Sequence, residues 1–428
     1  MSVGLQRLRE DTAALRAGAT AKGEDPAVID AALELDARRR RIAGEADSLR
    51  AQRKEVSARM GAALKGGAAD AESLRAESTA IGGQIDGLAA QLAELETQLE
   101  QLMLRIPNPV DADVPVGPPD ATVTVREWGE PVAHDAGGWH RAAHWELGEE
   151  LGILDLPAGA KVTGSGFPLY RGAGAALQRA LINLMLDIHT GEHGMAEVWP
   201  PALVNEASAR GTGQIPDKED QMYVVERDGL YLNPTAEVAV TNIHRDEIID
   251  ATRLPIRYVA YSPSFRREAG AAGRATRGIL RVHQFDKVEM VSFTRPDDSA
   301  AELEWMTERA EVALQRLGLA YRVRLLATGD MGFTQAKTYD LEVWAPGVEE
   351  WLEVSSVSNF RDFQARRMNI RWRPSAGEKP EILHTLNGSS LGLARTVAAL
   401  LEVYQQRDRS VVLPDVLASR VGPMKPPA

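Results

Sequence analysis

Residues 264–292 read SFRREAGAAGRATRGILRVHQFDKVEMVS, and the rest of the chain is organised around them. Residues 265–268 and 279–290 alternate as strands do, and between them lie Gly270, Gly273 and Gly278 with Arg274 and Arg277 spaced among them. This predicts a long hairpin whose loop is flexible and cationic. Period-two alternation puts Arg266 and Glu268 on one face, and His283, Phe285, Lys287 and Glu289 on one face of the returning strand. A guanidinium, a carboxylate and a ring beside a basic loop suit a polyphosphate carrying a flat base. On residue types alone, a surface hairpin with solvated charges fits equally well.

Upstream lies the clearest periodicity. After a short helix and loop over residues 1–25, Val28, Leu35, Ile42, Leu49, Val56 and Ala63 recur every seven residues. Past Lys65-Gly66-Gly67 a second series runs Leu74, Ile81, Leu88, Leu95 and Leu102, with Ile85, Leu92 and Leu99 between. Two heptad helices joined by a glycine turn predict an antiparallel coiled-coil hairpin, each helix on the order of 50 Å long. The first helix is rich in arginine (Arg38 to Arg41, Arg50, Arg53, Arg59) and the second in carboxylates (Glu72, Glu77, Asp86, Glu94, Glu96, Glu100). Pairing across the hairpin is the simplest use of these charges; contact with an RNA backbone is the functional alternative. Arg39 and Arg53 at core positions, and Gly82-Gly83 within the second helix, predict local interruption.

The heptads stop at Arg105-Ile106-Pro107, and a stretch rich in Pro, Val and Asp to Pro119 reads as a linker. The chain therefore divides into residues 1–106 and 107–428. The second part reads as one α+β domain. Helices fit 178–190, 298–317 and 391–406. Strands fit 195–199, 221–225, 229–233, 255–261, 279–293, 321–327, 339–344, 351–356 and 366–373. Grouped strands with helices at the ends favour an antiparallel sheet over a βαβ array.

Three more segments carry polar chemistry. Asn233-Pro234-Thr235-Ala236-Glu237 puts Thr235 and Glu237 on one side of an extended chain. Tyr339-Asp340-Leu341-Glu342 with Glu353-Val354-Ser355-Ser356 supplies oxygen ligands suited to Mg²⁺. Asn387-Gly388-Ser389-Ser390 reads as a turn entering a helix, with Arg395 one turn inside. Taken singly, each reads more readily as structural than as catalytic. His189 and His193 stand four apart, but Gly191 breaks the helix and no third metal ligand accompanies them.

Composition bounds the rest. Across 428 residues the formal net charge is −12, which argues against a broadly basic surface while permitting a local basic patch. There is no cysteine, so disulfides and thiolate metal sites are excluded. The N-terminus lacks a signal-type apolar stretch and no segment reads as a membrane span, so a cytoplasmic protein is expected.

In this order the segments resemble the three signature motifs of class II aminoacyl-tRNA synthetases, and most closely the bacterial-type seryl-tRNA synthetase family. The heptad hairpin is similar to that family's N-terminal arm. Ala196-Glu197-Val198-Trp199-Pro200-Pro201 resembles the end of motif one, Phe265 to Glu289 motif two, and His384 to Gln405 motif three. GTGQIP, PTAEV, TYDLEVW and EVSSVSNFRDFQARRMNIR are also similar.

The resemblance implies an α+β catalytic domain built on an antiparallel sheet flanked by helices, following a tRNA-binding coiled-coil arm. It implies ATP-dependent activation of L-serine and its transfer to tRNA(Ser), with tRNA(Sec) a further acceptor, and a homodimer formed through motif one. Arg266, Glu268 and Arg395 would be catalytic. ATP would meet Arg266, Arg267, Glu268, Phe285, Glu353, Val354, Ser355, Ser356 and Arg395. Serine would meet Thr235, Ala236, Glu237, Arg266, Glu289, Asn387 and Ser389. Glu353 and Ser356 would hold Mg²⁺, which requires a bend or strand end at Val354, because strict alternation pairs Glu353 with Ser355. Arg267, Ala275, Ala394, Val403 and Ser264 depart from the family's usual residues. Such departures suit a duplicated synthetase serving inhibitor resistance or a biosynthetic pathway; a non-catalytic tRNA-binding paralogue and an enzyme loading a carrier protein are the other readings.

Overall fold

A computed structural model describes residues 3–66, 70–135, 137–269 and 277–426. It divides into two compact units, Met1–Pro107 and Asn108–Ala428.

In the first unit, short helices Leu5–Glu10 and Thr12–Ala21 precede two long ones, Ala27–Gly66 and Ala71–Leu104, packed on each other. At 40 and 34 residues they are about 60 and 50 Å long. The heptad positions Ile42, Val56, Leu74, Ile81, Leu95 and Leu99 are buried. The short helices close one end: Leu8, Leu15 and Ala19 pack with Ile29, Ala32, Leu99, Met103 and Ile106.

Two expectations change here. The second long helix runs unbroken through Gly82-Gly83. Gly82 leaves room for the Arg53 guanidinium, which lies 3.4 Å from where a Cβ would stand, so a small residue accommodates a large one across the hairpin. Nor do the charges pair across the hairpin. Among the described residues, Arg39 and Arg40 pair with buried Asp36 and Arg50 with Asp47, all within one helix, and no ion pair joins the two long helices.

The second unit is built on an eight-stranded sheet: β1 (Val123–Trp128), β2 (Ala196–Glu197), β3 (Ile256–Phe265), β4 (Gln284–Thr294), β5 (Tyr321–Leu325), β6 (Lys337–Ala345), β7 (Glu350–Arg361) and β8 (His384–Gly392). Their order is β1-β5-β6-β7-β8-β4-β3-β2, antiparallel except for the β2–β3 pair. Helices Ala173–Asp187, Ser299–Leu317 and Leu393–Tyr404 pack on this sheet, and their apolar side chains join Val288, Met290, Val323, Leu341 and Val357 in one core.

Several local expectations are corrected. The hairpin's strands stop at Phe265 and begin again at Gln284, so residues 266–268 and 279–283 lie outside the ladder. One more backbone bond spans the hairpin, Arg266 N–H to His283 O, and then the chain leaves because Arg267 N–H donates to Gln221 O instead. Glu268 turns with φ of 48°. The loop positions Gly270, Gly273, Arg274 and Ala275 lie outside the described residues. Thr235 and Glu237 do not sit on an extended chain: Thr235 is the N-cap of helix Ala236–Thr241, its hydroxyl accepting from Glu237 N–H, as a Thr before a helix favours. The stretch 366–373 is helix (Phe363–Met368) before it is strand (Arg371–Arg373). Asn387 to Ser390 form strand β8, with the helix starting only at Leu393. Strand β1, inside the stretch after the linker, carried no sequence signal strong enough to register; its six residues are all exposed.

Candidate active site

The cavity opens where β3, β4, β7 and β8 meet the ends of their neighbours, and its volume is about 470 Å³. β4 contributes Phe285, Lys287 and Glu289, alternate residues of one face. β8 contributes Asn387 and Ser389, and β7 contributes Glu353, Val354, Ser355 and Ser356. Arg266 and Glu268 enter from the chain just past β3, Thr235 and Glu237 from a helix N-terminus, and Arg395 from the first turn after β8.

Two bulges set which side chains face inward. Leu341 pairs with Ser355 and Glu342 with Glu353, so Val354 is an extra residue in β7. That is the bend required for Glu353 and Ser356 to share a side, since each inserted residue shifts the alternation by one. In β8, Ser389 pairs with Glu289 and Leu391 with Val288, leaving Ser390 as the extra residue. Ser389 lines the cavity while the Ser390 hydroxyl lies 2.7 Å from Nε2 of buried His189.

The cavity has an acidic end and a cationic end. At the acidic end Glu237 is buried; burial, and then the charge of Glu289, push its carboxyl above the usual range. Gln364 Nε2 donates to Glu237 Oε1 at 2.7 Å, and Thr385 donates to Gln364 Oε1 at 2.8 Å, so the carboxylate is held from behind. Lys287 pairs with Glu289 at 2.6 Å, and the Ser389 hydroxyl donates to Glu289 at 3.4 Å. These groups suit a small ligand with an ammonium and a hydroxyl.

At the cationic end the Arg266 guanidinium lies 5.2 Å from the Phe285 ring centre, and its Nε donates to Pro234 O at 3.3 Å. Glu268 pairs with Arg281 at 3.3 Å. Arg395 Nε donates to Leu280 O at 3.0 Å, and its Nη1 to Glu353 O at 2.8 Å and to the Glu353 carboxylate at 3.2 Å. Two guanidiniums and an open ring face fit a nucleoside polyphosphate.

Two expected residues stand apart. Arg267 does not line the cavity; its Nη1 donates to Asp220 O at 3.0 Å. Ala236 is fully buried in the packing beneath the sheet.

Residues 223–404 match the family model for the tRNA synthetase class II core domain (G, H, P, S and T), and residues 4–110 match the seryl-tRNA synthetase N-terminal domain. The chain is 51% identical over 421 residues to the serine–tRNA ligase of Gemmatimonas aurantiaca, covering 98% of each. The chain belongs to the seryl-tRNA synthetase family. With the serine–tRNA ligase of Bacillus pumilus, identity is 48% over 419 residues, 98% of each. The fold superposes on the seryl-tRNA synthetase of Pyrococcus horikoshii complexed with ATP with a TM-score of 0.94, at 36% identity and 100% coverage of both chains. For the cytoplasmic serine–tRNA ligase of Naegleria fowleri in complex with AMP the TM-score is 0.89, at 26% identity, covering 100% of this chain and 99% of that one.

For a seryl-tRNA synthetase, a divalent cation has a suitable place. Asp340 pairs across the sheet with Ser356, is half-buried, and has Oδ1 inaccessible and without a hydrogen-bond partner. Burial and the neighbouring Glu353 charge raise its carboxyl well above the usual range. An orphaned carboxylate oxygen beside Glu353 and Ser356 fits a hard ion that also uses substrate phosphates as ligands. Among the described residues no cluster of three or more His, Cys, Asp or Glu is arranged to hold a metal without such phosphates.

Sequence reasoning passed over Lys218, Gln214, Gln221 and Arg281, which also line the cavity. The alternation that groups His283, Phe285, Lys287 and Glu289 reaches Arg281 when carried two residues back. Lys218 had no such signal. His283, grouped with the site by alternation, instead tilts against Phe167 at 5.3 Å and holds Arg266 O through Nδ1 at 3.0 Å.

Proposed function

We propose that this chain ligates L-serine to tRNA(Ser), with tRNA(Sec) as a further acceptor, in two steps within the one cavity. The serine carboxylate attacks the α-phosphorus of ATP and pyrophosphate leaves. A ribose hydroxyl at the tRNA 3′ end then attacks the carbonyl carbon of the seryl-adenylate, and AMP leaves. The observation that carries this reading is that one cavity joins the acidic, hydroxyl-rich end around Glu237, Glu289 and Ser389 to the two-guanidinium end around Arg266 and Arg395.

Arg266, at the cationic end, is the group to neutralise the α-phosphate and the attacking carboxylate together. Arg395 holds the γ-phosphate, the Phe285 ring stacks on the adenine, and Glu268 accepts from its amino group. Glu237 and Glu289 take the ammonium and hydroxyl of serine. No side chain acts as a nucleophile; fixed positions and neutralised charge lower the barrier. Mg²⁺ bound by Glu353 and Ser356, beside Asp340, would screen the phosphate charges.

The long-helix hairpin serves tRNA. The exposed Trp199, 76% accessible beside the edge strand β2, marks the motif-one face on which a second copy docks. No helix among the described residues is long and apolar enough to cross a membrane. Serine-dependent ATP–pyrophosphate exchange, followed by charging of serine tRNA, tests this assignment. No exchange with any amino acid would sink the enzyme reading; exchange without charging would favour loading of a different carrier.

A further inference from the structure

His144 and Glu402 form a buried pair away from the residues proposed to touch substrate. Both side chains are fully inaccessible, and His144 Nδ1 lies 2.7 Å from Glu402 Oε1. The carboxylate is saturated: Oε1 also accepts from His144 N–H at 3.0 Å, and Oε2 from the N–H groups of Gly347 and Val348 at 2.8 and 3.1 Å. With Nδ1–H committed to Glu402, Nε2 is left as an acceptor. It takes the backbone N–H of Ile279 at 3.2 Å. A histidine fixed at one nitrogen by a carboxylate presents the other in a defined tautomer and direction.

The neighbours of Ile279 rest on the same seat. Gly278 has φ of 68°, and a Cβ there would stand 2.3 Å from His144 Nε2 and 2.9 Å from the Trp145 ring. The Arg277 guanidinium lies 5.0 Å over the Trp145 ring. Residues 277–279 are therefore each located by His144 or Trp145. The two residues that follow enter the cavity: Leu280, whose carbonyl accepts from Arg395 Nε, and Arg281, paired with Glu268.

We propose that His144, oriented by Glu402, is a positioning residue for the triphosphate end of the site: it fixes Ile279, hence the Leu280 carbonyl, hence the Arg395 guanidinium. Glu402 and Arg395 belong to the same helix, Leu393–Tyr404, so the pair ties the far end of that helix to the segment on which its first turn depends. The serine end, carried by β8, β4 and helix Ala236–Thr241, makes none of these contacts. The inference rests on the ligase reading, and the two fail differently in one experiment.

The test is ATP–pyrophosphate exchange by the full-length enzyme. In His144→Leu the KM for ATP should rise about tenfold while the KM for serine stays within about twofold, because binding through Arg395 is lost and the serine pocket is intact. His144→Gln, which offers one donor and one acceptor, should recover most of the ATP affinity. Gly278→Ala, whose Cβ would meet His144 Nε2 and push the segment off its seat while both members of the pair are kept, should reproduce the ATP-selective rise and covers the case that His144→Leu fails to fold. Unchanged KM for ATP in a folded variant, or equal changes for both substrates, would overturn the positioning role. Absence of exchange in the wild type would overturn the ligase reading instead.

Discussion

Folding should become less favourable in mild acid through His189, by an amount the structure sets. Its ring is fully buried, 2.7 Å from the Ser390 hydroxyl and 3.0 Å, nitrogen to nitrogen, from His193. Burial, and then the positive potential of His193 and Arg309, depress its pKa from 6.5 to about 3. Between those values the unfolded chain binds a proton that the folded chain refuses, so unfolding free energy rises with pH across that window and falls on acidification. One pH unit is worth about 1.4 kcal/mol once the unfolded histidine is mostly protonated, so moving from pH 7 to pH 5 removes about 2 kcal/mol through this residue. His384, depressed to about 4 chiefly by burial, acts in the same direction. Carboxylates titrate as well, so the quantity to measure is a double difference. Wild type and His189→Gln, which keeps a polar group beside Ser390 and never charges, are unfolded in urea at both pH values. All eight tryptophans lie at or beyond Trp128, so their fluorescence follows the second unit alone. The stability advantage of wild type over the variant should shrink by about 2 kcal/mol at pH 5. A double difference within about 0.5 kcal/mol of zero, the usual error of such cycles, or of opposite sign, would refute the reasoning.

Three further outcomes are expected. Arg266→Ala should lower serine-dependent exchange by at least about 10²-fold with an unchanged fold, because a charge aimed at the transition state is lost; near wild-type exchange would remove Arg266 from its role. Glu237→Gln should stabilise the enzyme in urea and do so increasingly as pH rises, since a carboxyl with a raised folded pKa contributes stability at low pH and loses it through that pKa. The same change should raise the KM for serine by about 30-fold or more, a buried carboxylate–ammonium contact being worth about 2 kcal/mol or more; a stabilised variant with normal serine affinity would place the ammonium elsewhere. Replacing residues 44–93 with a short Gly-Ser turn keeps the Leu8, Ile29, Leu99 and Met103 packing at the base of the hairpin. Exchange should survive this while tRNA charging is lost, and retained charging would show that the removed heptads do not serve tRNA.

What could be read from the chain depended on how local each signal was. The heptads were legible because every seventh residue faces the same seam whatever the rest of the protein does. The helix at 298–317 was legible for a similar reason. Arg53 and Gly82 were not: each looks like a fault in its own helix, and only their meeting across the hairpin makes the arginine fit. Arg267 entered the site through the resemblance alone; alternation turns it away from Arg266 and Glu268, and its N–H and guanidinium hold Gln221 O and Asp220 O. Residues 366–368 carry no mark that forbids a strand, and tertiary packing of Phe363, Ala365 and Met368 decides for helix.

The bulges show the same limit at the site itself. Alternation alone cannot place Glu353 and Ser356 on one side; one inserted residue in β7 does. In β7 the need for such a bend at Val354 could be stated in advance, because two oxygen ligands three residues apart demanded it. In β8 the adjacent Ser389 and Ser390 turn to opposite faces as alternation requires, Ser389 to Glu289 at the cavity and Ser390 to His189 behind it, a partner that nothing in the sequence marked. The histidine dismissed as half of an absent metal site is thus the back support of the strand that carries Asn387 and Ser389.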